Sequence, residues 1–172
     1  MTASLFSLLV IPALVTGDAP AIQRQAQFEA TAFYKSLNLK RVSEALAEPA
    51  GGLPRKTIRY EGAAGPAGAA QAVVTLLLER ELELPTYYVK GYELTLAKPE
   101  AGLAQALQER MRVLTGFIRL NLWPRDLIAK VLAGARLADQ DGYDCSLEIS
   151  LKNFGSARIR GTGAATTVRI EF

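Results

Sequence analysis

The stretch Tyr143-Asp-Cys-Ser-Leu-Glu-Ile-Ser-Leu-Lys152 decides the fold class. Tyr143, Cys145, Leu147, Ile149 and Leu151 fall on one face of an extended chain, and Asp144, Ser146, Glu148, Ser150 and Lys152 on the other. Side chains alternating with a period of two mark an antiparallel strand with one buried and one solvated face. After Asn153-Phe154-Gly155-Ser156 the alternation resumes with Ala157, Ile159 and Gly161, breaks across Gly161–Ala165, and returns with Val168, Ile170 and Phe172. Tyr143–Phe172 therefore reads as two long strands joined by a tight turn, the second one bulged or bent at its glycines.

Leu76–Leu96 carries a second hairpin. Leu76, Leu78, Leu82 and Leu84 share a face with Arg80, and Glu79, Glu81 and Glu83 share the other with Leu77. Pro85-Thr86 turns the chain, after which Tyr88, Lys90, Tyr92, Leu94 and Leu96 alternate with Tyr87, Val89, Gly91, Glu93 and Thr95. Lys56–Glu61 is a further short strand. The Gly/Ala run from Gly62 to Ala70 lacks the Gly-Lys-Ser/Thr ending of a phosphate loop and the spaced glycines of a dinucleotide fingerprint, so it reads as a loop.

Between the hairpins lie two helices. Pro99 and Glu100 suit a first turn, and Leu103, Leu107, Met111 and Leu114 form a stripe at helical spacing, with Gly116 a stop or kink. Pro124 breaks the chain after Trp123, and Arg125–Leu137 places Leu127, Ile128, Val131, Leu132 and Ala135 on one face. The expected class is α+β: antiparallel hairpins forming a mixed or barrel-like sheet, packed by one or two central helices.

Nearer the N-terminus the periods compete. The aromatic and threonine content of Gln25–Lys35 favours a strand over a helix, and Val42–Ala47 reads as a short helix ended by Pro49-Ala50-Gly51-Gly52. Ser4–Val15 is the most apolar run and too short to span a bilayer. Its length suits a signal-peptide core, with Thr16-Gly17-Asp18-Ala19 as a cleavage zone, but no Lys or Arg precedes it and Pro12 interrupts it. The favoured reading is an N-terminal arm or strand over residues 1–17, covered by the rest of the chain or by a partner, ahead of one domain over 18–172.

With 172 residues and 49% hydrophobic content the chain can build a core without crosslinks. The lone Cys145 rules out an internal disulfide and reads as a buried thiol. The chain contains no histidine, which removes imidazole base catalysis and histidine-containing zinc sites. No nucleophile sits beside a base, and no metal-ligand spacing occurs; Asp139, Asp141 and Asp144 lack the later glutamate of a calcium loop. The expectation is a non-enzymatic protein with no catalytic residue, metal or cofactor.

Charge is segregated along the chain. Residues 61–109 carry seven acidic and three basic side chains, whereas residues 110–136 carry six basic and one acidic. Glu79, Glu81 and Glu83 on one side and Arg110, Arg112, Arg119, Arg125 and Arg136 on the other would suit a head-to-tail contact between copies. Arg158, Arg160 and Arg169 on the terminal hairpin complete the candidate surface. The same arginines could meet phosphates, giving a nucleic-acid-binding alternative, although the net charge is only +3. A secreted or envelope-associated protein addressed by its first 16 residues is the other alternative.

The layout of long β-hairpins such as Leu76–Leu96 and Tyr143–Phe172, one or two central helices and an apolar N-terminal arm resembles the small structural proteins of bacteriophage tails and related contractile particles. That resemblance implies a homo-oligomeric ring or tube, other particle proteins as further partners, and a virion location after assembly in the host cytoplasm. It is one of architecture and transfers no functional residue.

Overall fold

The computed structural model describes residues 22–100, 103–120, 123–140 and 144–172. The expected arm over residues 1–17 lies outside the described residues. Two short helices, α1 (Gln25–Ala30) and α2 (Ala32–Ser36), lead into four consecutive strands, β1 (Lys40–Ala47), β2 (Arg55–Ala64), β3 (Ala70–Arg80) and β4 (Tyr87–Ala97). The helices α3 (Ala104–Ile118) and α4 (Arg125–Ala138) follow, and then β5 (Cys145–Ser150), β6 (Ser156–Gly161) and β7 (Ala165–Glu171). The class is α+β. All pairings are antiparallel in one open seven-stranded sheet of order β1-β2-β3-β4-β7-β6-β5, which is neither mixed nor closed into a barrel.

Two meanders thus meet at the β4–β7 pairing, where Tyr92 lies opposite Ile170 and Leu94 opposite Val168. The register aligns apolar residues in rows across the sheet from β2 to β5. One row runs Tyr60, Val74, Leu94, Val168, Ile159, Leu147; the next runs Ile58, Leu76, Tyr92, Ile170, Ala157, Ile149. Among the described residues, helices cover this face alone. α3 packs over β3, and α4 over β5, β6 and β7, so the alternation seen in sequence becomes one buried and one open sheet face.

Several local expectations are corrected. Gln25–Lys35 is helical, broken at Thr31, whose backbone is extended and whose hydroxyl caps α2 by accepting from the Tyr34 amide at 3.1 Å. The aromatics that favoured a strand instead fill a cluster: Phe28 packs on Phe33, Tyr34 and Tyr60, and Phe33 on Phe117. Val42–Ala47 belongs to strand β1, because pairing with β2 overrides the helix preference of Glu44-Ala45-Leu46-Ala47. β2 is longer than expected and runs into the Gly/Ala segment. Gly62 is required there, since a Cβ would stand 2.4 Å from the Leu37 carbonyl oxygen.

The Leu76–Leu96 hairpin holds, with β3 ending at Arg80. Leu82 and Leu84 therefore sit in the turn and not on the buried face. A bulge at Lys90 shifts the register, so Val89 opposes Leu78 and Tyr88 opposes Glu79. α3 begins at Ala104, five residues after Pro99. Its buried side is Ala106, Arg110, Val113, Leu114, Phe117 and Ile118; Leu103 is exposed and Leu107 and Met111 are half-buried. Gly116 does not end the helix, which runs on to Ile118, and the Phe33 ring packs beside it. α4 matches its expectation.

The segment expected to form two strands is a three-stranded meander, β5 to β7, over its described residues 144–172. Gly161–Ala165 is the β6–β7 turn, closed by the Thr162 amide donating to the Ala165 carbonyl at 2.9 Å. Cys145 is partly exposed at the edge of β5. Trp123 is buried, with its ring 6.3 Å from that of Phe172.

Candidate assembly interface

The open face of the sheet carries its own charge order. Opposite one another across successive strands stand Arg59, Thr75, Glu93, Arg169, Arg158 and Glu148. Glu93 lies 3.9 Å from Arg169, and Glu148 3.7 Å from Arg158. Arg169 also holds Glu171 on its own strand, and Arg59 holds Glu61 at 2.9 Å. The neighbouring row contains Val73, Thr95 and Thr167, with the two hydroxyls 3.1 Å apart. Arg158 and Arg169 therefore face carboxylates of this chain, while Arg160 is exposed on the same surface.

The acidic residues divide between strand and turn. Glu79 is on the open face of β3, paired with Arg55 at 3.3 Å and accepting from the Tyr88 hydroxyl at 3.2 Å. Burial first, and then the Glu79 carboxylate, push the Tyr88 phenol above its ordinary range. Glu81 accepts from Thr86 at 3.0 Å and lies 3.5 Å from Arg24. Glu83 is exposed in the turn. Glu81, Leu82, Glu83 and Leu84 line one side of an open cavity of about 650 Å³ that Arg24, Tyr88, Lys90 and Phe172 also border.

The basic span is not one surface. Arg110 is fully buried and leaves the candidate set. Its Nη1 donates to the Leu96 carbonyl at 3.2 Å and also to that of Ala97, and its Nη2 binds the Asp139 carboxylate and donates to Thr166 Oγ1 at 3.1 Å. Thr166 Oγ1 is in turn 2.9 Å from Asp139 Oδ1 and 3.3 Å from the Ala138 carbonyl oxygen. One guanidinium thus ties α3, the end of α4, the end of β4 and the start of β7. Sequence spacing hides it, because Arg110 occupies the helix face where an apolar residue is expected.

Arg112, Arg119, Arg125 and Arg136 are exposed. Arg112 pairs with Glu109 at 2.6 Å, and that hydrogen bond holds the Glu109 carboxyl below its usual range. Arg119, Arg125 and Arg136 have no ion pair among the described residues.

What sequence reasoning missed is the sheet edge. β1 pairs with β2 on one side and has no strand on the other among the described residues, and all eight of its residues are exposed. Val42 is 50% and Leu46 66% exposed, on a strand that no helix covers. The bulge between Arg41 and Ser43 and the ion pairs of Glu44 with Arg41 and Lys56 temper the edge without closing it. β5 forms the opposite edge, with Ser146, Glu148 and Ser150 exposed. Among the described residues no helix is long and apolar enough to cross a membrane. Comparison with protein-family models, curated proteins and solved structures finds no match, so the chemistry of these surfaces is what speaks to function.

Proposed function

We propose that the chain is a non-enzymatic structural protein that assembles with copies of itself into a ring or tube, as a component of a phage tail or similar particle in which other structural proteins are its further partners. The observation that carries this reading is β1: a long edge strand, apolar at Val42 and Leu46, which among the described residues is exposed on both faces and unpaired along its outer side. Such an edge is a template for another strand. With β5 at the opposite end of the same sheet, a contact of β1 with β5 of the next copy is heterologous, and repeated heterologous contacts generate rings or filaments.

Sedimentation and mass photometry at micromolar concentration test the reading. A ring-sized oligomer or polymer is expected, and the double substitution Val42→Lys/Leu46→Lys is expected to dissociate it while leaving the circular dichroism spectrum unchanged, because both positions are exposed. A monomer at every concentration overturns the proposal. The paired state of Arg158 and Arg169 weakens the nucleic-acid alternative, since their nearest carboxylates compete with phosphates.

A further inference from the structure

We infer that β1 of one copy lies parallel to β5 of the next, clamped by charge at both ends, a contact that rests on the self-assembly reading and gives it a direction. The topology sets that direction. Six successive antiparallel pairings separate β1 from β5, so the two edge strands of the sheet run the same way. A second copy that continues the sheet with its helices on the same side therefore brings its β1 alongside β5 in parallel. Antiparallel pairing of the same two edges would need every other copy turned over, with its helices on the opposite side of the sheet. Parallel strands of one chain need a crossover connection, a constraint that does not bind strands of two chains.

Charge agrees with this direction. Lys40 opens β1 and Glu48 follows its last residue, while Asp144 precedes β5 and Lys152 follows its end. All four are exposed, and none has an ion pair among the described residues. Parallel strands set a cation by a carboxylate at each end; antiparallel strands would set Lys40 near Lys152 and Glu48 near Asp144. The apolar positions match as well. Leu46 stands two places from Glu44, the partner of Ile58, and so lies on the face that the helices cover farther along the sheet. On that face β5 presents Leu147 and Ile149, both partly exposed. With Leu46 beside Ile149, the bulge between Arg41 and Ser43 brings Lys40 beside Asp144. Pairing of β1 with its own copy fits less well, since at full overlap the two-fold sets Glu44 opposite Glu44 and Leu46 opposite Arg41.

Disulfide mapping with the native Cys145, partly exposed at the start of β5, tests the contact. Parallel strands place Val42 of the neighbour beside Cys145 and keep Leu46 about four residues away, roughly 13 Å along a strand. Oxidation of the Val42→Cys chain is therefore expected to give a ladder of covalent oligomers, and oxidation of the Leu46→Cys chain none. The reverse result would show antiparallel edges and overturn the inference. A covalent dimer that survives Cys145→Ser would show β1 pairing with itself and overturn it too. No disulfide in either chain while both sediment as oligomers overturns this contact and leaves self-assembly standing; a native chain that sediments as a monomer overturns both. In a chain without engineered cysteines, Lys40→Glu and Asp144→Lys should each weaken association about two- to fivefold at low salt and less at high salt. The two together should restore part of the loss. Association unchanged by either substitution, or losses that simply add in the pair, overturn the inference.

Discussion

Two buried polar side chains show how much one residue can decide. Arg110 is surrounded by carbonyl oxygens and the Asp139 carboxylate, yet its Nε has no hydrogen-bond partner among the described residues. Removing one member of such a pair strands the other charge in the interior, which costs about 3–5 kcal/mol, whereas removing both costs much less. Arg110→Met should therefore lose about that much in urea unfolding, and Arg110→Met/Asp139→Ala should recover part of it. Equal losses would show that Asp139 acts through its place at the end of α4 instead. Tyr60 is the other case: its hydroxyl donates to Glu29 at 2.7 Å, and burial, reinforced by that carboxylate, holds the phenol protonated far above its usual range. Because the folded pKa lies above the unfolded value of about 10, the stability from keeping the phenol neutral is complete below that pH and is lost as pH rises toward the folded value. Tyr60→Phe should flatten the fall in stability above about pH 10; parallel curves for both proteins would refute this.

At the scale of the element, close packing decides which glycines can change. A Cβ on Gly161 would lie 2.4 Å from the Ala138 carbonyl oxygen, where the end of α4 crosses β6, whereas one on Gly163 would meet nothing within 4 Å. Gly161→Ala should lower stability by about 1–3 kcal/mol or more, since backbone cannot yield as a side-chain tip does, and Gly163→Ala in the adjoining turn should change it by less than about 0.5 kcal/mol. Thermal unfolding of the pair checks this, and similar melting temperatures would refute it. Alternation made β3, β4 and the inward faces of β5 to β7 legible from sequence, because burial on one face imposes a period of two. It failed where something other than the strand's own pattern set the outcome. The Lys90 bulge shifts Tyr88 and Val89 by one place, and Phe28 and Phe33 obey an aromatic cluster formed with Tyr60 and Phe117. The candidate surface was legible in part. Glu81 and Glu83 stand in an exposed turn as their charge implies, but Arg110 is internal, and β1 gave no signal because its partner strand is what makes it a strand.

Across the whole molecule the sheet is graded from centre to edge. β4 and β7 have strands on both sides and helices above, and their inward residues Tyr92, Leu94, Val168 and Ile170 are fully buried. Among the described residues β1 has one neighbouring strand and no buried residue. Opening free energy follows burial and pairing, so amide exchange should be slowest in β4 and β7 and fastest, among the strands, in β1. This gradient makes assembly readable without knowing its symmetry. If copies join through the free edge, the outward amides of β1 gain carbonyl partners and a covering surface, and hydrogen exchange measured across the association transition should slow in β1 far more than in β4, where partners already exist. An oligomer in which β1 exchanges as fast as in the monomer would show that the sheet edge is left free and that copies meet elsewhere.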